Sequence, residues 1–272
     1  MKGVIETGTI LDKIVAKKIE EVERRRKEEP PLVHSSSHSR PFRAGFFEAL
    51  TGPSRHGRPI IAEIKKASPS TGVLREPFQP EFIARLYQTN GARCISVITD
   101  EEFFQGSLSV LRKVRETVRI PILRKDFIID DIQIEDTVRA GADAMLLIER
   151  ILEPGLMADL YSHAVSHDLA VLVEVHDEKG MERVLSMSSR PKLIGVNNRD
   201  LSDFSVNLSR TTKLLPLVPE DVTLVSESGL SNVKVLDDLL EAGVSAFLIG
   251  TALMKANDMG EELKRLVFGK DN

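Results

Sequence analysis

The chain has 272 residues, 42% of them hydrophobic, which is ordinary for a globular protein and allows one large domain or two small ones. Charged residues make up 29%, but the net charge is only −4 and the pI near 5.9, so bulk electrostatics recruit neither nucleic acid nor an anionic membrane, and any anionic ligand needs a local site. No apolar run approaches the roughly 20 residues of a membrane span, and the N-terminus MKGVIETGTILDK lacks a signal-peptide core, so a cytoplasmic protein is expected.

Residues 9–27, TILDKIVAKKIEEVERRRK, place Ile10, Ile14, Ile19 and Val22 among charges, with Thr9 as a cap, and predict an amphipathic helix. Pro30 and Pro31 stop it, and the Ser-rich segment after them, with His34 and His38, reads as a loop. Neither that pair nor His163 and His167, at helical i, i+4 spacing, has a third ligand nearby in sequence, so no metal site is expected. FRAGFFEAL at 42–50 predicts a short second helix leading to the first strand, so residues 1–58 are expected to form a helical extension covering the domain built by the remainder of the chain.

From Pro59 the pattern repeats. Apolar runs begin at Ile60, Cys94, Ile120, Ala144, Ala170, Leu193, Val222 and Ala246, each followed by a charged segment of helical period. Eight strand-helix units in about 210 residues fit an α/β fold of the (β/α)8 TIM-barrel type over 59–272 better than an open doubly wound sheet. The single cysteine, Cys94, lies inside CISVI, which excludes an intrachain disulfide and predicts a buried, inert thiol.

In such barrels the chemistry sits at the C-terminal ends of the strands. The first strand emerges at Glu63 and Lys65, two residues apart and therefore on one side. The second leads to the 100–106 loop with Phe104, the third to Arg124, Lys125, Asp126 and Phe127, and the fifth to Glu174. Asn197 and Arg199 follow the sixth, Glu227, Ser228 and Gly229 the seventh, Gly250 and Thr251 the eighth; only the fourth lacks a polar end. Taken alone, Glu63 and Lys65 could equally be a solvated ion pair. The glycines after the last two strands suit a phosphate, which barrel enzymes usually hold there. Lys65, Lys125 and Arg199, set against Glu63, Glu174 and Glu227, predict acid-base work by an amine able to give up a proton near neutral pH. Phe104 and Phe127 offer faces for a flat apolar group, or are lid or core residues.

AEIKKASPS at 62–70, LRKDFI at 123–128, LVEVHD at 172–177, GVNNRDL at 195–201, VSESGL at 225–230 and LIGTALM at 248–254 together resemble the indole-3-glycerol-phosphate synthase family. The resemblance spans nearly the whole chain and takes in ILDKIVAKKIEEVE, which in that family precedes the barrel and helps cover its catalytic face. It implies closure of 1-(2-carboxyphenylamino)-1-deoxyribulose 5-phosphate to indole-3-glycerol phosphate with loss of carbon dioxide and water, in tryptophan biosynthesis, without cofactor or metal. By motif it makes Lys125 similar to the principal general acid and Glu174 and Glu63 to the carboxylates of the acid-base steps. Lys65 is similar to the lysine of dehydration and anchoring, and Asn197, Arg199 and Glu227 to polar groups around the substrate. Ser68, Ser228, Gly229, Gly250 and Thr251 match the phosphate cradle, and Phe104 and Phe127 the aromatic pocket.

Departures from the pattern are few: Thr251 stands where serine is frequent, Asn198 occupies a variable position, and the 34–39 loop matches no motif. With one barrel in the chain, the phosphoribosylanthranilate isomerase activity fused to some relatives is not expected. That isomerase and the tryptophan synthase α subunit are the enzymatic rivals; they share the phosphate end but not the Glu-x-Lys, Lys-Asp-Phe and Val-Glu-Val set. A non-catalytic barrel sensing a phosphorylated metabolite is the rival from another class. The expected partner is the small phosphorylated anthranilate-derived substrate, not nucleic acid or membrane, with a monomer as default and a dimer as alternative.

Overall fold

The computed structural model describes residues 2–28, 45–52, 57–200 and 202–269; the 34–39 loop with its two histidines lies outside them. The apolar runs become strands buried on both faces, the condition under which a parallel strand carries a continuous rather than an alternating apolar sequence. They are β1 (Ile60–Ile64), β2 (Cys94–Ile98), β3 (Ile122–Lys125), β4 (Ala144–Ile148), β5 (Ala170–Val175), β6 (Leu193–Asn197), β7 (Thr223–Glu227) and β8 (Ala246–Ile249). Every residue of β1, β2, β4, β6, β7 and β8 is buried. The ladder runs β1-β8-β7-β6-β5-β4-β3-β2 and closes on itself through parallel β1–β2 pairing, with Glu63 opposite Ser96. This is the expected eight-stranded barrel. β3 starts at Ile122 rather than Ile120, just past Pro121, which has no N–H to give to the ladder.

Eleven α-helices are present among the described residues: α1 (Ile10–Glu28), α2 (Phe46–Thr51), α3 (Pro80–Thr89), α4 (Leu108–Thr117), α5 (Asp131–Ala140), α6 (Pro154–Ser166), α7 (Glu178–Leu185), α8 (Ser209–Leu214), α9 (Val233–Ala242), α10 (Thr251–Lys255) and α11 (Met259–Phe268). Their ends reflect local chemistry. α5 opens on a capping box between Asp130 and Gln133 and closes on Gly141 at φ 82°, a left-handed conformation that only glycine adopts cheaply. His167 Nδ1 lies 3.0 Å from the His163 carbonyl oxygen at the end of α6, a local helix-end contact. Among the described residues no group of three or more His, Cys, Asp and Glu is placed to hold a metal, and no helix is long and apolar enough to cross a membrane. Cys94 is fully buried, and burial pushes its thiol well above the usual range, as an inert core residue requires.

α1 begins where Thr9 Oγ1 accepts from the Leu11 N–H, so the expected cap is present. Its buried stripe differs from the expected one. Leu11, Ile14, Val15 and Val22 are buried, whereas Ile10 and Ile19 are only partly so, and Lys18 sits inside the stripe at 1% exposure. A buried lysine needs acids, and they come from far along the sequence: its Nζ lies 2.9 Å from Asp126 Oδ1 and 3.3 Å from Asp100 Oδ2. Two turns further on, Arg25 pairs with Asp136 and Arg26 with Asp130 and Asp131 of the α5 segment. α1 is thereby docked across the loops that come after β2 and β3. The second helix is α2, whose Phe46 and Leu50 join the same core; residues 42–44 of the expected helix lie outside the described part.

Candidate active site

Glu63 and Lys65 leave β1 on the same side, as alternation demands, and Lys65 Nζ donates to Glu63 Oε1 at 2.6 Å. Glu63 is 3% exposed, which removes the solvated-pair reading. Its other oxygen lies 3.8 Å from Lys125 Nζ at the end of β3, so one carboxylate stands between two ammonium groups. Burial pushes the Glu63 carboxyl up, but Lys65, Lys125 and Arg199 outweigh it and hold the group below the usual carboxylate range. Gly250 makes this packing possible: a Cβ there would overlap Glu63 Oε1 and meet Glu63 Cβ at 3.0 Å.

Lys125 departs from expectation. Burial pulls its pKa down, yet Glu63, Glu174 and Glu227 around it more than compensate and hold it above the usual lysine range. The site therefore keeps an ammonium rather than preparing an amine near neutrality, because the acids around the lysine outweigh its burial. Such a group is fully charged at pH 7 and gives its proton to a strongly basic oxygen.

Glu227 ends β7 at 1% exposure, and among the described residues neither carboxyl oxygen has a hydrogen-bond partner. Room for it comes from Gly195 on the neighbouring strand, where a Cβ would overlap Glu227 Oε1. Burial, reinforced by the charge of Glu174, pushes its carboxyl up to about 8 against the opposing pull of Lys125, so it is a neutral acid at pH 7. Stability should depend on pH accordingly. A group whose folded-state pKa is raised contributes stability that is complete below its unfolded value, 4.5, and is lost as pH rises through about 8. Glu227→Gln cannot titrate, so between pH 5 and 8 the wild type should lose stability relative to this variant by on the order of a few kcal/mol. Urea denaturation of both proteins across that range checks this; parallel curves would contradict it.

Asn197 Oδ1 accepts from the Arg199 N–H at 3.0 Å, and Arg199 Nη1 donates to the Phe204 carbonyl at 2.8 Å, which turns the loop after β6 toward the cleft. Ser228 and Gly229 both have positive φ, 66° and 79°. For serine this is an uncommon conformation, of the kind that collects at binding sites. A Cβ on Gly229 would overlap Val206, so glycine is required there. Phe104 and Phe127 face each other with ring centroids 6.1 Å apart, and the short hairpin of Ala67–Ser68 with Gly72–Val73 carries Ser68 to the rim.

These groups surround a cleft of about 320 Å³ at the C-terminal end of the barrel. All the sequence-expected site residues line it except Glu174, the last residue but one of β5, which pairs with Gly195 and acts on Lys125 and Glu227 through its charge. The cleft also contains residues that sequence reasoning missed: Ile10 and Ile14 of α1, Phe204 after β6, and Lys255 at the end of α10. The spacing of Ile10 and Ile14 did signal a helix face, and Lys255 stands one position beyond the LIGTALM motif. At β4 the first polar residue, Glu149, pairs with Arg183 of α7 and does not line the cleft. The polar ring is thus open at the fourth strand, as expected.

Residues 11–266 match the family model for indole-3-glycerol phosphate synthase. The chain is 47% identical over 264 residues to the indole-3-glycerol phosphate synthase of a Polaromonas species, covering 96% of this chain and 99% of that protein. To the enzyme of the same name from Burkholderia multivorans it is 46% identical over 260 residues, covering 95% and 99%. Among solved structures it is similar in fold to a 3-hexulose-6-phosphate synthase, with a TM-score of 0.57 at 15% identity, covering 76% of this chain and 97% of that one. It is likewise similar to the N-acetylmannosamine-6-phosphate 2-epimerase of Clostridium perfringens, with a TM-score of 0.57 at 13% identity, covering 85% and 97%.

Proposed function

The chain belongs to the indole-3-glycerol phosphate synthase family, and from that premise we propose how its own side chains carry the reaction. The protein is a carboxy-lyase of tryptophan biosynthesis that closes 1-(2-carboxyphenylamino)-1-deoxyribulose 5-phosphate to indole-3-glycerol phosphate. The substrate brings two anionic ends and a flat ring. The phosphate is held by the backbone N–H groups of Ser228, Gly229, Gly250 and Thr251 with the Ser68 hydroxyl, at the ends of β7 and β8. The anthranilate ring rests against Phe104 and Phe127, and Lys65 and Arg199 face its carboxylate.

The ring carbon that bears the carboxylate attacks the C2′ carbonyl carbon, and Lys125 delivers a proton to the carbonyl oxygen as it becomes a hydroxyl. The bond to the carboxylate then breaks, carbon dioxide leaves, and its electron pair restores the aromatic ring. Loss of that hydroxyl as water, with a proton from the neighbouring carbon, completes the indole. The alkoxide that would form without protonation is far more basic than any carboxylate, so an ammonium held above its usual range still transfers downhill while staying charged at pH 7. Glu63 balances positive charge on the anilino nitrogen and takes part in the proton transfers, while Glu174, which does not line the cleft, acts through its charge on Lys125 and Glu227. Neutral Glu227 adds a hydrogen-bond donor without adding a charge that would repel an anionic substrate.

The observation that carries this reading is the placement of Lys125 beside Glu63 in the same cleft that Ser228, Gly229, Gly250 and Thr251 line. The test is stoichiometry: carbon dioxide release and indole emission should match substrate consumed one to one. Carbon dioxide without indole would remove the dehydration roles assigned to these residues.

A further inference from the structure

Behind the cleft lies a second ionic cluster that the reaction scheme does not use. Lys18 Nζ reaches Glu21 Oε2 at 2.8 Å within α1, Asp126 Oδ1 at 2.9 Å after β3, and Asp100 Oδ2 at 3.3 Å after β2. Asp126 is held from every side: Oδ2 accepts from Thr99 Oγ1 at 2.5 Å and Arg124 Nη2 at 2.9 Å, and Oδ1 also accepts from the Phe127 N–H at 2.8 Å. The Thr99 N–H in turn donates to the Lys125 carbonyl at 3.1 Å. Asp100 Oδ1 accepts from the Phe103 N–H at 2.9 Å, next to Phe104. Asp126 therefore sits between the two residues whose side chains enter the cleft, Lys125 and Phe127, and Asp100 starts the loop that brings the facing ring.

We propose that Lys18 is a positioning residue of the active site: by joining Asp126 to Asp100 it holds the Lys125–Phe127 backbone and the Phe104 loop in one register, so that proton donor and aromatic clamp meet the same substrate. Stability alone does not call for such a cluster, since buried ion pairs are often no better than apolar packing of equal volume. Nor is Lys18 needed as the sole anchor of α1, because Arg25 and Arg26 tie the same helix to Asp136, Asp130 and Asp131 farther from the cleft. What Lys18 does, and those arginines do not, is bond to Asp126, the residue between Lys125 and Phe127.

The test compares three proteins with wild type: Lys18→Met; Lys18→Met/Asp100→Asn, which keeps the buried charges balanced; and the control Arg25→Met/Arg26→Met. Single-turnover indole formation and affinity for inorganic phosphate are measured for each, beside thermal melting. Both Lys18 variants should form indole roughly 10- to 100-fold more slowly, the size of effect that a small misplacement of a reacting group produces. Their affinity for inorganic phosphate, which the aromatic clamp does not touch, should be unchanged. The control should melt lower yet keep its rate. Four results overturn the proposal: a rate in the double variant within about twofold of wild type, rate and affinity falling together, an equal rate loss in the control, or failure of the charge-balanced variant to fold, which makes Lys18 a folding residue. The inference rests on Lys125 as proton donor. Turnover surviving in Lys125→Ala would overturn that assignment, whereas an inactive Lys125→Ala with unaffected Lys18 variants overturns only the positioning.

Discussion

Lys125→Ala should lower kcat by about 10²- to 10⁴-fold while leaving affinity for a phosphorylated ligand intact, the signature of a lost general acid. The two halves of this expectation have separate physical origins. Lys125 stands 3.8 Å from Glu63, on the far side of that carboxylate from Lys65, so its removal takes away the proton and the local positive charge but leaves Lys65, Ser68 and the backbone donors of Ser228 to Thr251 in place. Calorimetric titration with indole-3-glycerol phosphate beside steady-state kinetics separates them. Loss of binding in step with turnover would make Lys125 an anchor instead of a donor.

Glu63→Gln should be nearly as damaging, about 10²-fold or more in kcat, although it changes no volume and fits the space that Gly250 leaves. The carboxylate lies between two ammonium groups, and its loss leaves them facing each other in a site of low exposure. Glu63 is also the first of the carboxylates that hold the Lys125 pKa up. With it neutral, the Lys125 ammonium loses its proton at lower pH, and a reaction that needs the charged form fails earlier on the alkaline side. The pH profile of kcat for the variant should therefore show its alkaline limb shifted to lower pH than in wild type. An unmoved limb would separate Glu63 from the acidity of Lys125.

Much of this was legible in the chain because two periods carry it. Strands buried on both faces are written as unbroken apolar runs, helices as 3.6-residue stripes, and eight alternations of the two leave few architectures open. Alternation along a strand was enough to put Glu63 and Lys65 together, and the glycines after the last two strands do line the cleft. What escaped was set by contacts between distant residues. Arg25 and Asp136 are 111 positions apart, and no local pattern joins them. Lys18 looked like one more charge on a charged helix, although its place between Val15 and Val22 on the buried face was a readable anomaly. The roles of Gly195 and Gly250 depend on carboxylates of neighbouring strands, which only the closed ladder brings beside them. The acidity of Lys125 has the same origin: sequence counts cations and carboxylates equally, while in the barrel Glu63, Glu174 and Glu227 together outweigh the burial of the lysine.

The most direct measurement tracks indole emission after mixing wild type and Lys125→Ala separately with 1-(2-carboxyphenylamino)-1-deoxyribulose 5-phosphate, with enzyme in excess. The chain contains no tryptophan, so the background is low. A rise in the wild type, slowed by two or more orders of magnitude in Lys125→Ala, is the result predicted for a synthase whose ring closure depends on that ammonium. Equal traces in the two proteins, or a flat trace in a wild type that demonstrably binds the substrate, would contradict it.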